Sequence, residues 1–158
     1  IFLFIYKDNL KNDLKNIRND LNTKNIIIIV LFLVLSFISN IILVNMLNQE
    51  ASNQEIAVSM FKSFPLLGIP AICLFAPFVE EIIYRLPYKK NWLSIIISTI
   101  VFTFAHISNF SLIQMFFLIP YLFLSISFSF AYFKNENIIL STTTHILNNL
   151  ISVVLLLI

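Results

Sequence analysis

The residues best suited to chemistry are two adjacent carboxylates, Glu80 and Glu81, in the run A-P-F-V-E-E-I-I-Y-R from Ala76 to Arg85. The surrounding sequence is apolar enough to span a membrane. An ionisable side chain at the centre of a membrane helix costs at least ~2.5 kcal/mol, so such groups are retained for use. On a helix Glu81 and Arg85 stand at i and i+4 and can pair. Glu80 points about 100° away and has no sequence-local partner. The spacing predicts one braced carboxylate and one reactive one. The chain has two histidines, His106 and His145. Phe102 precedes His106 by one helical turn. His145 and Asn149 share a helix face, with Asn148 beside them and Ser141 and Ser152 extending the stripe.

A carboxylate and an imidazole holding one water make a general base. A second imidazole and a carboxamide supply donors for a developing oxyanion. Together these are the parts for water attack on a carbonyl, that is, peptide hydrolysis. Glu and His are also zinc ligands, so Glu80, His106 and His145 could instead hold a divalent metal such as zinc. The residues alone leave both mechanisms open. Competing readings are an ion-pair network tying helices together and His145 and Asn149 as interhelical hydrogen-bond glue. At the level of the whole protein, the alternatives are a non-proteolytic bacteriocin immunity or scaffold protein and an ion-coupled transporter. The transporter class usually carries internal repeats, and none is visible.

These groups need elements to position them. Of 158 residues 59% are hydrophobic and 11% charged, against roughly 25% charged in soluble domains. Seventeen Phe and a single Gly suit apolar helices. A net charge of +2 gives no footprint for nucleic acid. The lone Cys73 rules out a disulfide within the chain and reads as an inert apolar residue.

The expected fold is all-α, a polytopic integral membrane bundle with about five transmembrane helices. The spans fall at 26–47, 64–84, 92–107, 112–133 and 138–158, near the ~20 residues a bilayer core requires. Pro77 marks a start or bend of the carboxylate helix, and Pro120 a kink. Residues 1–25 read as the tail of an earlier apolar segment, Ile1 to Tyr6, and an amphipathic connector. Leu10, Leu14, Ile17 and Leu21 give that connector one apolar face, as in a helix lying on a membrane or a solvated linker. Residues 26–63 read as a span and a polar loop, and 64–158 as the functional core. Gln114, Tyr121, Ser125 and Tyr132 read as a packing stripe, with a cavity wall as the lesser alternative.

Nine of the ten Lys and Arg fall in alternate connectors, which places the turns at 85–91 and 134–137 in the cytoplasm. Substrate approach is expected from that side. Counted along straight helices, Glu80 lies at most ~15 Å from the basic turn and His106 ~22 Å, a mismatch of about 7 Å.

Three motifs occur in order, each in its own span: E-E-x-x-x-R at Glu80–Arg85, F-x-x-x-H at Phe102–His106 and H-x-x-x-N at His145–Asn149. Over about residues 64–158 the chain resembles the CAAX-protease and bacteriocin-processing family of intramembrane proteases, sometimes called the Abi family. The resemblance implies an all-helical membrane endopeptidase, whose eukaryotic relatives remove the last three residues of prenylated CAAX proteins. It implies that Glu80 and His106 activate water, that His145 and Asn149 form the oxyanion site, and that Glu81 and Arg85 brace the motif. Phe102 then packs to fix the His106 rotamer. The implied cofactor is none or a divalent metal held by Glu80, His106 and His145. The implied partners are a peptide or prenylated-protein substrate and the lipid bilayer, in the cell membrane of a bacterium. Leu86 departs from the pattern, because members often carry Gly after the motif Arg.

Overall fold

The computed structural model describes residues 7–20, 22–88, 91–134 and 137–157. The readings made on Ile1–Tyr6, Leu21, Lys89 and Lys90 lie outside the described residues. The elements are α1 (Lys7–Asp20), α2 (Thr23–Leu47), α3 (Ser52–Ser63), α4 (Pro65–Tyr84), α5 (Trp92–Ala105), α6 (Leu112–Phe133) and α7 (Ile138–Leu157). Among the described residues there is no strand.

Helix ends follow the local sequence. The Asn22 side chain accepts the Asn25 N–H at 2.9 Å and caps α2. Asn48 closes α2 in the left-handed conformation, with φ 52°. Asn91 caps α5 through the Ser94 N–H at 2.8 Å. Asn137 caps α7 through the Leu140 N–H at 3.1 Å. Pro65 occupies the first turn of α4, where a missing N–H costs nothing. In α6 the helix resets at Phe117, three residues before Pro120, because Pro120 cannot donate to the Phe116 carbonyl.

Four helices, α2, α4, α6 and α7, are long and apolar enough to cross a membrane. The remaining expected span, α5, has 14 residues and reaches only ~21 Å, short of the ~30 Å hydrocarbon core. It stops where His106 turns the chain. The expected loop after α2 contains a helix instead. In α3, Glu55 in the first turn and Lys62 in the last complement the helix dipole.

The connector α1 packs against α7. Asp13 accepts the Ile138 N–H at 3.0 Å and so holds the head of α7. Leu10 packs on Tyr132, Phe133 and Ile138, while Leu14 stays exposed. Leu86 joins the same cluster. Among the described residues only Asn48 has a positive φ, so the turn at Leu86 does not require the freedom of Gly.

The hub is α6, which packs on α2, α5 and α7. Its buried side mixes small residues, Ser125, Ser127, Ser129 and Ala131, with the aromatics Phe128, Tyr132 and Phe133. Ser127 donates to the Ile29 carbonyl at 3.0 Å, and Ser129 pairs with Thr99 at 3.0 Å. Ser36 on α2 donates to the Pro120 carbonyl at 2.9 Å. Small residues and interhelical hydrogen bonds are the usual adhesives where lipid removes the hydrophobic drive between helices. The outer surface is apolar, including Ile27, Val34, Ile41, Leu66 and Trp92.

Candidate active site

The carboxylate helix changes register just before its acids. Ala71–Phe75 forms a π-turn, in which the Ala76 N–H reaches back to Ala71. The same five-residue step sets the Ile72 carbonyl opposite Pro77, which has no N–H to give. The Asn149 amide on α7 donates to that carbonyl at 2.9 Å. Asn149 therefore ties α7 to the break in α4, and the second hydrogen of its amide remains available. Its Oδ1 accepts from Asn148 at 3.0 Å.

Glu81 and Arg85 form a closed network. Both side chains are fully buried, with Arg85 Nε 3.1 Å from Glu81 Oε2. Arg85 also donates to the Ser98 hydroxyl and, at 3.3 Å, to Ser125 Oγ. Its guanidinium lies 5.0 Å from the Phe102 ring centroid. Ser98 passes its own proton to the Tyr84 carbonyl. Glu81 receives the Ser141 hydroxyl on Oε2 and His145 Nδ1 on Oε1, the latter at 3.0 Å. Charge, donors and acceptors are matched, as a buried ion pair requires.

Glu80 faces the other way. Its side chain is 27% exposed, and its Oε2 atom, shut off from solvent, has no hydrogen-bond partner among the described residues. Two imidazole nitrogens approach that oxygen: His106 Nε2 at 3.3 Å and His145 Nε2 at 3.8 Å. The tautomers follow from the far sides of the rings. His106 Nδ1 lies 2.7 Å from the Phe102 carbonyl, and His145 Nδ1 lies 3.0 Å from the Glu81 carboxylate. Each oxygen only accepts, so each Nδ1 carries a hydrogen. Both Nε2 lone pairs are then left facing Glu80. Three acceptors cannot converge without a proton or a donor between them.

The rings are fixed by stacking. Phe102 stacks on His106 with centroids 4.2 Å apart, and Phe128 on His145 at 4.3 Å. Tyr121 covers the other side of His106 at 4.8 Å. His106 sits just past the last turn of α5, with φ −96° and ψ 2°, so its ring folds back toward Glu80. The depth mismatch counted from sequence is absent from the contacts, because counting along straight parallel helices neglects tilt and side-chain reach.

A cavity of about 290 Å³ opens from this cluster. Glu80, His106, His145, Asn148 and Asn149 line one part, and α3 lines another through Asn53, Gln54 and Ala57. Glu80, His106 and His145 meet at one oxygen, but among the described residues no group of three His, Cys, Asp or Glu is disposed to hold a metal ion.

Several contributors were not singled out from sequence. Ser98 stands at i, i+4, i+8 with Phe102 and His106, a helical stripe that was legible. Tyr121 and Ser125 belong to the stripe read as packing; Ser125 binds Arg85 and Tyr121 walls the cavity. Asn53 and Gln54 sat in an expected loop and carried no signal.

The fold and the convergent acid and imidazoles define a class: helical multi-pass membrane proteins with a Glu/His site inside the bundle. The family model for type II CAAX prenyl endopeptidase Rce1-like matches residues 62–151. The chain belongs to that family, one of CAAX-type intramembrane proteases. No curated protein and no solved structure matches it.

Proposed function

We propose that this protein is an intramembrane endopeptidase that hydrolyses a membrane-presented peptide bond with a water activated by Glu80 and His106. The observation that carries the reading is Glu80 Oε2, a secluded carboxylate oxygen without a hydrogen bond, faced by two Nε2 atoms. A water between Glu80 and His106 gives a proton to the carboxylate as its oxygen attacks the scissile carbonyl. The tetrahedral oxyanion is met by the His145 Nε2–H and the second amide hydrogen of Asn149. His145 already donates Nδ1–H to Glu81, so it donates from Nε2 only as an imidazolium, which Glu81 supports. Collapse breaks the C–N bond, and Glu80 returns its proton to the leaving amine. Glu81, Arg85 and Phe102 position these groups without touching the substrate.

The substrate classes we propose are a C-terminal CAAX segment, in keeping with the family, or a bacteriocin leader, in a bacterial cell membrane. The experiment is cleavage of such peptides by detergent-purified protein, wild type beside Glu80→Gln and His106→Ala, with and without a zinc chelator. General acid–base loss is expected at about 10²–10⁴-fold in each variant, with wild-type cleavage persisting under chelation. Retained cleavage in Glu80→Gln would refute the assignment. Loss on chelation that zinc restores would make Glu80, His106 and His145 ligands instead.

A further inference from the structure

We infer that Asn40, Asn53 and Gln54 form a main-chain clamp at the outer part of the cavity, selecting an extended peptide segment by its backbone amides. This rests on the proposed endopeptidase reading and names how its substrate is held. The three carboxamides come from two elements, Asn40 from α2 and the others from α3, and all line the cavity.

The helix α3 contributes no buried residue, so its cavity face is not part of the core. Its start is fixed to the bundle: the Ser52 N–H donates to Gln114 Oε1 at 3.0 Å, and Ser52 Oγ accepts the Ser108 N–H at 3.1 Å. Its end is fixed by close packing on Gly68. It is thus held at both ends, and Asn53 and Gln54 on it line the cavity.

Those side chains are under-used. Asn40 Nδ2 gives one long bond, 3.4 Å, to Gln54 Oε1. Asn53 lies beside the Tyr121 side chain. Each carboxamide has two donors and two acceptor lone pairs, which is the complement of a peptide unit. A volume of about 290 Å³ is at the small end of ligand sites and suits a short stretch of extended chain.

The test uses a short, internally quenched, Leu/Ala-rich peptide and copies N-methylated at each amide in turn. Binding is read by fluorescence anisotropy on the full chain carrying Glu80→Gln, and cleavage on the wild type. At least one N-methyl group is expected to weaken binding about five- to tenfold. The same group should cost nothing further when Gln54→Leu or Asn53→Ala is also present. Equal cost of N-methylation with and without the carboxamides overturns the clamp, as does absence of binding. Cleavage without that coupling overturns the clamp and leaves the protease reading standing. Coupled binding without cleavage upholds the clamp and removes the protease reading. The N-methyl series on unaltered α3 guards against a variant that fails to fold.

Discussion

Glu80 and Glu81 are chemically identical neighbours, yet the fold treats them oppositely. Glu81 is fully buried and receives Arg85, Ser141 and His145. Glu80 is partly exposed to a cavity, and its inner oxygen has no hydrogen bond. The 100° between successive helical positions sends one into the network and the other into the cavity. Saturation builds structure, while an unmet acceptor stores reactivity. The network half can therefore be disturbed through stability and the cavity half through rate.

The largest effect should separate these two readouts. Glu80→Gln keeps shape and removes the charge, so activity should fall about 10²–10⁴-fold with little change in the thermal midpoint in detergent. Arg85→Met should do the reverse first. It leaves Glu81 buried and uncompensated, a loss of about 3–5 kcal/mol in stability. Adding Glu81→Gln to Arg85→Met should recover part of that, because no lone charge remains. If Arg85→Met unfolds no more readily than wild type, the network is not the scaffold described here.

Asn149 lies on the boundary of the two regions. One amide hydrogen holds the Ile72 carbonyl at the break in α4, and the other is assigned to the oxyanion. Asn149→Leu should reduce kcat about 10²-fold or more and destabilise by about 1–3 kcal/mol, since the Ile72 carbonyl loses its donor. A variant that loses stability but keeps kcat would move Asn149 wholly to the structural side.

The three motifs and the helical class were legible because ionisable groups in apolar runs are rare and helical spacing is local. Glu81 with Arg85, and His145 with Asn149, could be paired by arithmetic. The π-turn could not, since it is a backbone register choice fixed by Pro77 and by a donor 77 residues away. The fate of Ser98, Ser125 and Ser141 depends on which helices neighbour α4, and that is long-range packing. The helix α3 was read as loop because its apolar residues are few. The short reach of α5 was missed because hydropathy continues to Ile107 while the helix stops at Ala105.

The smallest expected effect tests whether the cavity wall is independent of the network. Gly68 is the one glycine of the chain, and it lies where α4 turns away from α3. A Cβ there would stand 3.1 Å from Phe61 Cα and 3.2 Å from the Met60 carbonyl oxygen, both backbone atoms that yield only by shifting α3. Gly68→Ala should cost about 1–3 kcal/mol as an overpacked contact. Because α3 carries Asn53 and Gln54, the shift should raise KM while kcat stays near wild type. The Glu81–Arg85 pair lies beyond the π-turn, so its contribution to stability should be additive with Gly68→Ala within about 0.5 kcal/mol. A drop in kcat equal to the rise in KM, or strong coupling to Arg85→Met, would mean that the wall and the network move as one body.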